Sequence, residues 1–289
     1  MTQVALITDS SAQLPGPLAA EVGAAVVPVM VSFNGHEYRE GVDLDVDTFY
    51  AELVDTGPPK LVTAQPPAGA FLDAFEAAAA AGATEVVAVV VGSAFSGTVN
   101  SATVAAGHAT VPVTVVDTGQ ASFGVGFCVL AAAETIAAGA TGPEVEAAVA
   151  SFAPTVESVF IVQALDLARA SGRFVGGVLD GELTPDAVPV LRYAAGDLTV
   201  VAEVATPADA VEAMAAAVLG PGRRVRVASG LADPGTAPIT DALEAQLDTS
   251  PLVTDLIRYR VGPSVAAHTG SGTAGVFFHP APGSADVAG

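Results

Sequence analysis

Four segments of this 289-residue chain place hydroxyl-bearing residues and glycines just beyond short apolar runs, the position where an α/β protein holds its ligands. The first is Thr8-Asp9-Ser10-Ser11, whose acid or hydroxyl either caps the next helix or faces a ligand crevice. The second is Val62-Thr63-Ala64-Gln65-Pro66-Pro67, where two prolines stiffen the loop and can fix the direction of the Thr63 hydroxyl. The third and most specific is Gly92-Ser93-Ala94-Phe95-Ser96-Gly97-Thr98. Gly97 permits close backbone approach, while Ser96, Thr98 and the first amides of the following helix offer donors to an anion without any lysine. The competing reading makes Ser93 or Ser96 a plain helix cap. The fourth runs from Gly262 to Thr273 and sets His268 in a Gly-rich loop after a strand, where an imidazole can donate to a carboxylate or relay a proton.

Other chemistries find less support. A serine hydrolase acting on acyl esters through Ser93 or Ser96 with His268 is one alternative, but the spacing lacks the nucleophile elbow G-x-S-x-G and no acid is evident to orient the histidine. A small phosphometabolite binder using the Gly97 helix start is another. His36, His108 and His279 share no ligand spacing with His268, so no zinc site is expected. Asp43, Asp45 and Asp47 alternate like a Ca²⁺ loop without the glycine and closing glutamate of an EF-hand, which makes them a solvated loop. The single cysteine, Cys128, lies in an apolar run and reads as a small buried hydrophobe. No P-loop or kinase motif is present, so no phosphoryl transfer by this chain alone and no cofactor are expected.

Composition bounds the partners. Ten Lys and Arg stand against 31 Asp and Glu, a net charge of −21, which argues against nucleic acid and anionic membrane surfaces. The only lysine is Lys60, so an anionic ligand must be held by local hydrogen bonds. With 51% hydrophobic residues the chain can fill sizeable cores. The stretch from Gly119 to Gly142 has the length of a membrane span but carries Glu134 and mostly Ala and Gly, so a buried helix is expected. The first residues, MTQVALITDSS, lack a basic n-region, which points to a cytoplasmic protein.

The elements that would position the four segments alternate. Val4–Ile7, Val26–Phe33, Val86–Val91 and Val113–Val116 read as strands, with helices from Leu14, Phe49, Gly69 and Ser96 between them. The Val-rich run 86–91 suits a strand buried on both faces, as in parallel sheets. Later segments at 159–163, 189–193, 198–204, 225–230 and 255–261 read as strands, with helices over 207–219 and 237–247 and a hairpin at Ala195-Gly196-Asp197. The fold class is therefore α/β in two domains: residues 1–160 a mainly parallel three-layer α/β/α domain, residues 161–289 an α+β domain.

Taken in order, TDSS at Thr8–Ser11, TAQP at Thr63–Pro66, GSAFSGT at Gly92–Thr98, SGRF at Ser171–Phe174 and GPSVAAHTG at Gly262–Gly270 resemble the DegV family of bacterial fatty-acid-binding proteins, some of which are acyl-carrying subunits of fatty acid kinase. The resemblance spans essentially the whole chain. It implies the EDD fold, with a long-chain fatty acid such as palmitate in a buried tunnel at the polar strand ends, completed by the second domain. Family carboxylate contacts carry over onto Thr63 and Ser96, with Ser93, Gly97 and His268 as additional contacts. It implies no catalytic residue and no metal in this chain. A kinase subunit is the implied protein partner, but the segment that tends to be basic in kinase-linked members reads Ala202-Glu203-Val204-Ala205-Thr206 here, which argues against that docking. Ala64, Pro67 and Gly92 stand where family members usually have Ser.

Overall fold

The computed structural model describes residues 3–55, 61–173, 183–184 and 186–282, so Lys60 and Phe174 of the SGRF segment lie outside the described residues. Contacts divide the chain into two compact units, Met1–Ala153 with Gly262–Ser264, and Pro154–Val261 with Val265–Gly289.

In chain order the first unit contains β1 (Val4–Asp9), α1 (Gly16–Glu21), β2 (Ala24–Val27), β3 (Met30–Phe33), β4 (His36–Arg39), α2 (Val46–Asp55), β5 (Leu61–Ala64), α3 (Ala68–Ala80), β6 (Glu85–Val90), α4 (Thr98–Ala106), β7 (Val113–Asp117), α5 (Phe123–Ala137) and α6 (Gly142–Phe152). Four strands form a parallel sheet in the order β2-β1-β6-β7. Val86, Ala88 and Val90 of β6 pack with Phe71 and Phe75 of α3, while Val87 and Val89 pack with Val125 and Val129 of α5 and with Val145 and Val149 of α6. Burial on both faces is why this strand reads as an unbroken apolar run, and it makes the unit a three-layer α/β/α sandwich. Cys128 sits in the α5 layer, fully buried, its thiol pushed up to about 12 by burial.

One expected element divides. The run Val26–Phe33 is two strands: β2 joins the parallel sheet, while β3 lies at the centre of a separate antiparallel sheet, β4-β3-β5. Pro28 falls between them, and without an N–H it cannot continue a ladder, so the chain leaves one sheet there and enters another.

The second unit contains β8 (Glu157–Ile161), α7 (Leu165–Ser171), β9 (Val188–Ala194), β10 (Asp197–Val204), α8 (Ala210–Leu219), β11 (Val225–Leu231), α9 (Ala237–Asp248), β12 (Val253–Arg260), the greater part of α10 (Pro263–Thr269) and β13 (Ala274–Pro280). Its six strands run β10-β9-β8-β13-β11-β12, all pairs antiparallel except β11 with β12. Met214 of α8 and Leu243 and Leu247 of α9 pack on Val159, Val227 and Phe278 on one face of that sheet. The β9–β10 turn has positive φ at both Ala195 and Gly196, the backbone of a type I′ hairpin. Central strand β13 is absent from the sequence-based expectation.

Gly92, directly after the parallel strand β6 and Val91, shows how tightly the strand ends pack. Its N–H donates to the Gln120 carbonyl at 2.8 Å, and a Cβ there would come within 2.7 Å of Gly119 Cα and 2.8 Å of Gly119 C. Those are backbone atoms with no rotamer to yield, so a serine at this position requires the backbone at Gly119 to shift. Gly92→Ser is expected to destabilise the protein by about 1–3 kcal/mol, as overpacking does. A thermal midpoint within a degree of wild type would refute the constraint.

Candidate functional site

In a parallel sheet the crevice for a ligand opens where neighbouring strands connect in opposite directions, here between β1 and β6. Asp9 stands at that place. One carboxylate oxygen accepts the Val91 N–H at 2.9 Å, and the other accepts both the N–H of Ser11, at 2.9 Å, and its hydroxyl. Asp9 thus caps the short 3₁₀ turn Ser10–Ala12 and stitches β1 to the end of β6. TDSS therefore takes its capping role.

A second buried acid, Glu40, organises the surroundings. Its oxygens accept from the Ser10 hydroxyl at 2.5 Å and the Ser264 N–H at 2.8 Å, and Ser10 Oγ in turn accepts the Val29 N–H at 2.9 Å. Gln13 adds to the cluster by donating to Ser264 Oγ at 3.3 Å and accepting the Gly262 N–H. A Cβ on Gly262 would lie 2.6 Å from a Glu40 oxygen, so the GPS tripeptide of the last segment needs glycine for this close approach. The first and fourth segments thus meet around Glu40 and Gln13, two residues that sequence reasoning did not single out.

The second and third segments also meet. Thr63 on β5 pairs with Val31 and Leu61 pairs with Phe33, so Thr63 stands on the face of the antiparallel sheet that carries these two fully buried side chains. Phe33 packs on Phe49 of α2, ring centroids 5.3 Å apart, which fixes that face inward. Two residues on, the Gln65 carboxamide lies over Gly97, where a Cβ would come 2.9 Å from its nitrogen, 3.0 Å from its carbon and 3.1 Å from its oxygen. Ser96 Oγ lies 2.8 Å from Thr98 Oγ1 and accepts the Thr98 N–H at 3.3 Å, so it bridges the first turn of α4. Ser93 faces elsewhere: its N–H donates to Asp117 Oδ1 at 3.1 Å. Burial pushes the Asp117 carboxyl up, but hydrogen bonds from the Ser93 hydroxyl and from the Gly119 and Ser93 amides outweigh it and hold it below the usual range.

His268 lies in the second unit, and its environment corrects the expectation of a loop. It sits in helix α10, whose ends are the same residues that look like loop signals: Pro263 at the first position and Gly270 in a left-handed conformation (φ 75°) after the last. Burial, and secondarily the Arg173 charge, push its pKa down to about 4, so the ring is neutral at pH 7. A neutral imidazole still offers one N–H donor.

A family model described as "Uncharacterised protein, DegV family" matches residues 3–281. The chain belongs to the DegV family. A DegV domain-containing protein of Streptomyces coelicolor is 34% identical over 279 residues, 94% of this chain and 97% of the relative. Among solved structures, a DegV family protein from Thermus thermophilus, described as fatty acid binding, superposes with a TM-score of 0.85 at 29% identity, covering 97% of this chain and 100% of the other. A DegV lipid binding protein from Thermotoga maritima does so with a TM-score of 0.83 at 25% identity, covering 96% and 99%. Among the described residues of this DegV protein no cluster of three or more His, Cys, Asp or Glu is placed to hold a metal ion, and no helix is long and apolar enough to cross a membrane.

The two buried acids of this DegV chain make its stability depend on pH. Burial raises the Glu40 pKa above its ordinary 4.5, against the hydrogen bonds from Ser10 and Ser264, and the Asp9 charge raises it further. Asp9 is likewise raised above 3.8, by burial. A raised folded-state pKa contributes stability that is complete below the unfolded value and is lost as pH climbs through the folded value. Glu40→Gln, neutral throughout, lacks that loss. Thermal midpoints of the two proteins measured across pH 4 to 8 are therefore expected to diverge upward from about pH 4.5, wild type falling relative to the variant. Parallel curves would show that Glu40 does not titrate in this range.

Proposed function

We propose that this protein binds a long-chain fatty acid non-covalently, with the carboxylate held by the hydroxyls of Thr63 and Ser96 and with the Gly97 amide as a further donor. The observation that carries this reading is the meeting of two loops. Gln65, just past Thr63, lies on Gly97, beside Ser96 at the start of α4, so two hydroxyl-bearing segments of a nearly lysine-free chain converge on helix-start amides. The likeness to the Thermus thermophilus structure described as fatty acid binding supports the ligand class.

The energetics suit such a ligand. A charge-assisted hydrogen bond contributes about 1.5–3 kcal/mol, whereas burying the chain contributes about 0.8 kcal/mol per CH₂. For a chain of about 16 carbons the apolar term sets the strength, and the polar end sets the orientation. An acidic protein can therefore hold a fatty acid without a basic patch. In the same reading His268, neutral at pH 7, is an additional contact of the carboxylate. Ser93 is a weaker contact, because its hydroxyl already serves Asp117. That engagement with an acid, and the bridging of Ser96 to Thr98, also favour a binding protein over a serine hydrolase. A tunnel completed by the second unit, a cytoplasmic location and the absence of phosphoryl transfer by this chain belong to the same reading. Glu203, at the segment that would meet a kinase subunit, accepts from the Thr184 N–H and keeps its charge, which disfavours that partner.

Native mass spectrometry followed by lipid extraction tests the ligand: about one fatty acid per chain is expected. A protein free of lipid, with esterase activity abolished by Ser96→Ala, would overturn the reading. The site is tested separately. Thr63→Val with Ser96→Ala is expected to weaken fatty-acid binding by roughly a hundredfold or more, the loss of two hydrogen bonds to a charged group. Unchanged affinity in that double variant would remove both residues from the site.

A further inference from the structure

Gly97 raises a question its backbone does not answer. Its φ of −74° and ψ of 8° are open to any residue, so left-handed geometry does not demand glycine there. What occupies the space a side chain would take is the Gln65 carboxamide, whose carbon, nitrogen and oxygen all lie 2.9 to 3.1 Å from a Cβ at that position. Near-equal distances to all three atoms mean that the amide lies face-on against the glycine, with its hydrogen-bonding edge turned sideways. Among the described residues neither its oxygen nor its nitrogen has a hydrogen-bond partner. Gln65 is exposed, so neither burial nor a hydrogen bond accounts for its place; the bare Cα of Gly97 does.

We infer that Gln65 is a positioning residue: docked on Gly97, it holds the end of β5 against the start of α4 and so keeps the Thr63 and Ser96 hydroxyls aimed at one ligand head group. This rests on the fatty-acid reading above and adds to it a mechanical link between the two loops. Only Ala64 separates Gln65 from Thr63, and Pro66 confines the Gln65 backbone to extended conformations, so a displaced Gln65 carries Thr63 with it. The pair Gln65 and Gly97 then acts as one unit. Removing the carboxamide, or adding a methyl that lifts it away, has the same effect on the head group and none on the apolar chain.

The test is a double-mutant cycle with two ligands, palmitate and hexadecanol, read by calorimetric titration because the chain has no tryptophan to report on binding. Gln65→Ala and Gly97→Ala are each expected to weaken palmitate binding about fivefold, less than the loss of a whole charge-assisted hydrogen bond because the hydroxyls are misaimed and not removed. The double variant is expected to be no weaker than the worse single one, with hexadecanol affinity unchanged throughout. Because the Gly97 backbone suits alanine and Gln65 is exposed, thermal midpoints should stay near wild type. Should Gly97→Ala fold poorly, Gln65→Ala alone still carries the palmitate-against-hexadecanol contrast. Losses that multiply in the double variant, equal losses for both ligands, or no loss in Gln65→Ala would overturn the link while leaving fatty-acid binding standing. A wild-type protein that binds neither ligand would instead overturn the fatty-acid reading itself, and this inference with it.

Discussion

Glu40 is a carboxylate in the interior of the first unit with no cation bonded to it among the described residues, and much of that unit is arranged to satisfy it. An isolated buried charge is untenable, so donors must be brought to it or the group must hold its proton. Here the donors come from opposite ends of the chain: the Ser10 hydroxyl just after β1 and the Ser264 amide. Ser10 also takes the Val29 N–H, at the point where the chain crosses between the two sheets of the unit. The same requirement explains Gly262, since only a residue without a side chain lets its backbone come so near the carboxylate. Asp9, one residue before Ser10, adds a like charge and sits at the strand end where a parallel sheet opens its ligand crevice.

The polar segments therefore divide into two kinds. TDSS and the GPS tripeptide serve the interior, where their hydroxyls and amides answer to Asp9 and Glu40. TAQP and SGT answer to one another at the loop surface, through Gln65 and Gly97. This division fits the charge of the chain. With acids in the interior and one lysine in the whole sequence, hydroxyls and helix-start amides are what remains to hold an anion.

Much of the architecture was legible because its physics is local or periodic. The Val-rich β6, the Ala-rich helices and the Ala195-Gly196 turn each announce themselves within a few residues. What escaped depended on distant partners. β13, Ala-Gly-Val-Phe-Phe-His-Pro, begins beside a glycine and ends on a proline, yet lies between β8 and β11 because those strands, over a hundred and about fifty residues away in sequence, supply its ladders. Helix α10 was hidden by its own caps, since a proline and a glycine seven residues apart look like a loop until the turns between them are seen. Glu40 was hidden by its neighbours: it follows His36-Glu37-Tyr38-Arg39, whose side chains are largely exposed, and nothing in that polar stretch marks the one acid that turns inward. Within the candidate site, Thr63 and Ser96 could be named from residue type and family pattern. Gln65 could not, because its importance lies in a contact with a residue 32 positions away.

The three residues Gly262–Ser264 belong to the first unit although more than a hundred residues of the second precede them. A ribosome making this chain releases β1, Ser10, Gln13 and Glu40 long before the amides that complete their hydrogen bonds exist. Until residue 264 is synthesised, the nascent sandwich must leave Glu40 open to water or protonated. The last polar contacts of the first unit thus close only after more than a hundred residues of the second have been translated, which couples the folding of the first unit to the synthesis of the second.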